Sequence, residues 1–434
     1  MRSTLPALAC TIFLYSVPAF AQVRDAVGTV PTERGFPSEL TSLTLPEALA
    51  RAAIASPSLR GRQAQLAAAE GLDTEARAVL FNNPQISFDK TRRQVPLPPT
   101  GTENRSEWSG GISQVFETGG QGRFRRETSA AGLEALRYEI AAEKRQVRSD
   151  VSSRFFRVLA LQQRVELEAQ ALQLFDDAAT AVQRRRRAGE DTKLDANVAM
   201  VEAERARNQM AQAREELTGA RAELAARLQL VGPALPQARG DLAPLPLPYT
   251  VNDLLGNLDA QPAMLALAAR EKRAQSKYQL ERASGSPDIT VGVNVGREGP
   301  GSAREKLTTL SVSIPLPLFK RNAAAIGEAV SQATQAQIDR ESGLRDARAN
   351  LYALWSRLAS QEQRVRRLQE SVLPALTENL SLSVKSRQAG QIGLLELIVV
   401  NRQALDARRD LIEALSEYHS TRAALELAAG WPNE

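Results

Sequence analysis

The sequence predicts a mainly α-helical chain with a small β part, built as two tandem repeats of long coiled-coil helices plus a β-hairpin. Three observations predict it. Apolar residues fill 43% of the 434 positions but aromatics only 5%, and a composition led by Ala, Leu and Val suits long, closely packed helices rather than a globular heart. A few short stretches alternate apolar and polar residues, as strands with two unlike faces do. Finally, 307–326 (LTTLSVSIPLPLFKRNAAAI) passes from strand period to helical period, and 109–126 (SGGISQVFETGGQGRFRR) makes the same switch about two hundred residues earlier.

In chain order, residues 1–21 read as a cleaved secretory signal: Arg2, an apolar run from Leu5 to Phe20, then Ala19-Phe20-Ala21 before Gln22. Cys10 raises a lipoprotein reading, which Ala7 and the short preceding segment disfavour. Residues 22–43 carry Pro, Gly and Thr without period and predict an extended N-terminal segment. Repeat 1 covers 44–232. Thr44-Leu45-Pro46-Glu47 opens a helix with an N-cap, a first-turn proline and a capping-box acid. Helix resumes after Pro57 and ends near Asn82-Asn83-Pro84. Strands are predicted at about 84–95 and 107–116, separated by a loop that Pro96, Pro98, Pro99 and Gly101 impose. Two very long helices follow, meeting at a turn at 188–190 (Ala-Gly-Glu).

Residues 233–249 hold Pro233, Pro236, Pro244, Pro246 and Pro248 and read as a linker. Repeat 2, 250–430, then restates repeat 1. Gln261-Pro262 answers Ser56-Pro57, Ser286-Pro287-Asp288-Ile289 answers Asn83-Pro84-Gln85-Ile86, and the turn at 389–391 answers 188–190. Its strands fall at about 287–298 and 307–316. In the first, Ile289, Val291, Val293 and Val295 face one way and Thr290, Gly292, Asn294 and Gly296 the other, one side suited to lipid and one to water. A half-buried strand of a soluble sandwich shows the same alternation, but not two such hairpins flanked by helices this long. Leu344, Leu351, Leu358, Val365 and Val372 mark a heptad stripe, repeated by Val151, Val158, Val165 and Leu172.

Several function classes drop out. Beyond the signal there is no Cys and a single histidine, His419, so neither a thiol nucleophile nor a thiolate metal ligand exists there. No catalytic constellation or cofactor motif is visible, and His419 reads as a satisfied helix residue. No run of eighteen apolar residues follows the signal, so an exported chain crossing a bilayer must do so as strands. The net charge of +5 is spread along helices rich in acids, and the run Arg184 to Arg187 ends a helix, where its dipole favours cations. With a signal peptide, that run does not argue for nucleic acid. Two hairpins also cannot close a barrel alone, and an open edge in lipid leaves backbone groups unpaired. Copies must combine.

The pieces LTLPEALARA, SQVFETGGQGRFRR, PDITVGV, SIPLPLFKRN and EALSEYHSTRAALELAAG, across residues 44–430, resemble the TolC-type outer-membrane factors, and within them the CzcC-like heavy-metal branch. The resemblance implies a homotrimer whose strands form one 12-stranded outer-membrane barrel continuous with an α-helical periplasmic barrel. It also implies docking to a periplasmic adaptor and an inner-membrane resistance-nodulation-division pump. The two Gly turns become periplasmic tips, with Arg187, Gly189, Leu194, Arg387, Gly390 and Leu394 as adaptor-docking candidates. Asp195 and Glu396, each six residues past its glycine, match gate positions; Glu396 replaces the family's usual Asp, and Asp195 has the competing task of serving its own helix start. The expected function is a passive exit duct for heavy-metal cations of the cobalt-zinc-cadmium or the copper-silver class. Export of organic compounds through the same architecture is the alternative, and a periplasmic coiled-coil scaffold a second one.

Overall fold

The computed structural model describes residues 42–99, 101–232, 235–244, 246–299, 304–319 and 321–431. The stretch expected to be a signal peptide and most of the expected extended segment lie outside the described residues. The last two residues of that segment form β1 (Ser42–Leu43), which pairs in parallel with β4 (Gln237–Ala238).

Helices α1 (Leu45–Ala55) and α2 (Pro57–Ala76) begin with prolines that need no amide partner in the first turn. Glu47 Oε2 accepts from the Thr44 amide at 2.8 Å, closing the capping box. α2 stops six residues short of the expected Asn82, and Val79, Leu80 and Phe81 are exposed between it and the sheet.

Strands β2 (Gln85–Leu97), β3 (Gly101–Phe116), β5 (Ile289–Glu298) and β6 (Glu305–Ser313) form one antiparallel sheet in that lateral order. β3 starts six residues earlier than its apolar pattern predicts, because an unbroken ladder pairs 85–97 with 101–113 whatever the side chains are. β6 ends at Ser313, two residues before Pro315, which cannot donate to a ladder.

Each hairpin feeds a long helix. α3 (Gln121–Arg187) has 67 residues, which at 1.5 Å per residue is about 100 Å. In repeat 2 the same span is divided into α7 (Ala323–Arg367), a π turn at Leu368–Val372 and α8 (Leu373–Gln388). Both long helices start from a left-handed residue, Gly120 with φ +79° and Asn322 with φ +58°. That conformation turns the chain sharply from strand to helix. At Gly119 a side chain would strike the carbonyl oxygen of Ala283, so strand exit and the end of α6 (Pro262–Ala283) sit backbone to backbone.

Return helices are α4 (Lys193–Arg227) and α9 (Leu394–Ala429). Near the sheet the helices lie in the order α2, α3, α6, α7; farther out the order is α4, α3, α9, α8. The Pro-rich segment between the repeats packs rather than merely spans: Leu242 and Tyr249 are buried, and short α5 (Val251–Gly256) joins a cluster with Leu351, Leu358, Tyr418 and Leu425.

The heptad stripe of α7 is buried at Leu351, Leu358 and Val365 and ends at Val372, which the π turn exposes. On α3 the expected stripe holds at Val151 and Val158, then moves to Leu167, Ala171, Phe175 and Val182. A straight helix drifts about 20° per heptad against a seven-residue repeat, so a contact seam this long must change positions.

Candidate functional site: the sheet faces and the helical tips

Register and alternation divide the sheet into two unlike faces. Ile86, Ile112, Val293 and Leu310 are cross-strand partners and share one face. They are exposed, as are Phe88, Val295 and Val312 on the same face. The other face carries Ser87, Gly111, Asn294 and Thr309 in the next row. There Asn294 sits where a side chain on Gly111 would be, and Gly292 leaves room for Ser311 and Ser113.

Every acid of these strands is on the polar face: Asp89, Glu103, Glu107, Glu298 and Glu305. Arg93 and Arg105 are its basic residues. Arg93 bridges Glu107 at 3.5 Å and Glu298 at 3.8 Å across three strands, and Arg105 holds Glu103 at 3.1 Å.

At the far end of the helices, the two turns contain Gly189 (φ +81°) and Gly390 (φ +71°), a backbone conformation that Cβ-bearing residues resist. Both tips share one apolar cluster, with Val182, Ala196, Ala199, Leu394 and Ile398 in contact. Among the gate candidates, Asp195 is committed to its own helix. It stands third in α4, accepts from the Thr192 hydroxyl at 2.6 Å and the Thr192 amide at 3.1 Å, and returns its amide to that hydroxyl. The hydroxyl bond, then the amide bond, then the Arg387 guanidinium hold its carboxyl below the usual aspartate range. Glu396 occupies the same place in α9, but its N-cap is Gly393, which offers no hydroxyl; the exposed carboxylate folds back over Gly393.

The docking candidates separate. Leu194 is 72% exposed, whereas Leu394 is 7% exposed and belongs to the tip core. Leu394 is therefore corrected: the outward leucine of the second tip is Leu395, at 57%, five residues past Gly390 as Leu194 is five past Gly189. Counting from the glycines finds it. Arg187 is exposed, and Arg185 beside it binds Glu190 at 3.5 Å and Asp191 at 3.2 Å. Arg387 donates to the Ile392 carbonyl at 3.3 Å, bracing the second turn from within. Among the described residues no cluster of His, Cys, Asp or Glu could hold a metal ion, and no helix is long and apolar enough to cross a membrane.

The family model described as outer membrane efflux protein matches residues 48–228 and 257–431. The chain belongs to the outer membrane efflux protein family. Along nearly its whole length it is similar to the cobalt-zinc-cadmium resistance protein CzcC of Cupriavidus metallidurans, 27% identical over 95% of this chain and 96% of that one. It is also similar to the pyoverdine export outer membrane protein OpmQ of Pseudomonas putida, 23% identical over 63% of this chain and 62% of that one. In fold it matches the outer membrane protein VceC of Vibrio cholerae, with a TM-score of 0.72, 18% identity, and coverage of 89% and 96%.

An outer membrane efflux protein of this fold is a channel and not an enzyme, seated in the outer membrane with its helices in the periplasm. In a transmembrane barrel the polar face of such a sheet turns to the lumen and the apolar face, here with Ile86, Phe88, Ile112, Val293 and Leu310, turns to lipid. His419, the lone histidine, is buried: its ring stacks on Phe156 with centroids 3.8 Å apart, and Nε2 lies 3.0 Å from the Leu242 carbonyl, to which its N–H donates.

Proposed function

We propose that the protein is the passive exit duct of a tripartite heavy-metal efflux system. It works as a homotrimer whose tips dock on a periplasmic adaptor and, through it, on an inner-membrane resistance-nodulation-division pump. The carrying observation is the lumen face, where the sheet gathers all its carboxylates and only two arginines. A narrow water-filled passage lined this way concentrates cations and repels anions. Similarity to a cobalt-zinc-cadmium resistance protein over nearly the full length supports the same cargo.

The open edges support association of copies, and the number three is what the resemblance to TolC-type factors implies. β2 and β6, α2 and α7, and α4 and α8 border the protomer on opposite sides at three levels, so a neighbouring copy can continue all three layers at once. At the tips, Gly189, Gly390, Arg187, Leu194 and Leu395 meet the adaptor, with Arg387 bracing the second turn. Glu396 gives the mouth a free carboxylate, and Asp195 adds its charge while holding the start of α4.

The test is genetic. Deleting the gene should sensitise cells to cobalt, zinc or cadmium, and the intact gene should restore growth. Unchanged metal tolerance with new sensitivity to organic compounds would sink the metal reading in favour of organic export, the second reading that similarity to a pyoverdine exporter supports. A protein found in the soluble periplasmic fraction, with no conductance in planar bilayers, would sink the channel altogether.

A further inference from the structure

Four of the six cations of the strands stand on the face that the acids avoid. Lys90, Arg92, Arg297 and Lys306 all stand on the lipid-facing side, which carries no acid. Three of them lie in a single row: Lys90 pairs with Trp108, Trp108 with Arg297, and Arg297 with Lys306, one residue from each strand. Neighbouring strands are about 4.8 Å apart, so the row covers roughly 15 Å of the protein's circumference. Arg92 stands one row farther out.

This row sits at the outer limit of the apolar band. Moving along the strands from the helices, the lipid side presents Phe116 and Ile289, then Val291 and Val312 with Gln114, then Ile86, Ile112, Val293 and Leu310, then Phe88 and Val295 with Thr308, and only then the cations with Trp108. Tryptophan at that place is the aromatic girdle that marks a membrane interface. Because the helices lie in the periplasm, this interface belongs to the outer leaflet.

The energetics ask for a partner. Arg297 and Lys306 are direct cross-strand neighbours, and like charges in that relation destabilise a sheet. Neither they nor Lys90 has an ion-pair partner within the described chain, whereas Arg93 and Arg105 on the opposite face are both paired. Phosphate oxygens accept charge-assisted hydrogen bonds from both guanidinium and ammonium groups, and a headgroup with two phosphates can bridge neighbours a strand apart.

We propose that Lys90, Arg297 and Lys306, with Trp108, form a binding site for a phosphorylated glycolipid of the outer leaflet. The site fixes the protein's height in the membrane and relieves the repulsion between Arg297 and Lys306. This inference rests on family membership and the register of the sheet, and is independent of what the channel carries.

The test uses the purified full-length protein in detergent, with lipid retention read by native mass spectrometry in the presence of a chelator, so that no divalent ion bridges protein to lipid. Probes are bisphosphorylated lipid A, the same lipid without phosphates, and phosphatidylglycerol. The parent should retain the bisphosphorylated form at least tenfold better than either other lipid, with retention falling as salt rises. The combined variant Lys90→Gln, Arg297→Gln, Lys306→Gln should lose this preference, while Arg93→Gln on the lumen face should keep it. Equal retention of the phosphate-free lipid, or an unchanged preference in the triple variant, would overturn the proposal; equal retention of phosphatidylglycerol would overturn the assignment to the glycolipid. Should the triple variant fail to assemble, the comparison of lipids on the parent decides alone.

Discussion

His419 lies against Phe156 with its ring nitrogen on the Leu242 carbonyl, and burial pushes its pKa below the ordinary value. Arg422 opposes its protonation as well, while the Leu242 carbonyl, Asp241 and Glu426 favour it less strongly than burial opposes it. The unfolded chain therefore takes up this proton first. Stability should begin to fall as pH drops through about 6.5 and go on falling until the folded-state pKa is passed. Chemical denaturation at pH 7.5 and pH 5 should show a larger loss for the parent than for His419→Gln, whose amide can still donate to Leu242. Equal losses would mean that the ring titrates freely. A second buried group sets a larger stake. Glu168 is fully buried and takes two bonds from Arg409, Nε at 2.7 Å and Nη2 at 2.6 Å, tying α3 to α9. Arg409→Met leaves that carboxylate with Arg164 alone, its Nε 3.8 Å away, and should cost about 3 kcal/mol. The double variant Arg409→Met with Glu168→Leu should recover most of it, a difference that denaturant titration measures.

At the scale of elements, the strand faces were legible because alternation is a local property. Val293 against Asn294 already separates lipid from water in the sequence, and the register places Val293 between Ile112 and Leu310. Val293→Arg should oppose insertion by about 2–4 kcal/mol, and Asn294→Arg far less, as the yield of heat-resistant assembled protein would show. Less visible was what depends on pairing between distant segments. The outer half of β3, Gly101 to Ser106, has no apolar signal and exists because β2 supplies a ladder. The drift of the α3 seam needs the helix to be known straight, and the cation row needs a register that no single strand contains. The tips were half legible: Thr192 and Asp195 show the capping box in plain spacing, but burial of Leu394 rather than Leu395 depends on how α9 leans on α3 and α4. Gly390→Val should distort the second turn, since φ is +71° there. Loss of adaptor crosslinking together with metal resistance is the expected result, and survival of both would make the turn an ordinary connection.

For the whole molecule, the mouth at the tips is where the repeats cease to be equivalent. Asp195 is tied to Thr192 and Glu396 is not, so Glu396→Gln should lower cation preference more than Asp195→Asn does. Reversal potentials under a salt gradient would show it, most clearly in dilute salt, where the screening length exceeds about 10 Å. Identical selectivity in both variants and the parent would place these acids away from the conduction path. The open borders at three levels carry a different lesson, one about angles. A ring of staves closes when the bends of its members add up to a full turn, and bend in a sheet is limited by the bulk on its inner side. Here that side holds Gly111 beneath Asn294, Gly292 beneath Ser311, and Gly296 against Ser109. Three small residues thus leave that side room to bend, and a methyl group added at any of them would press on the neighbouring strand.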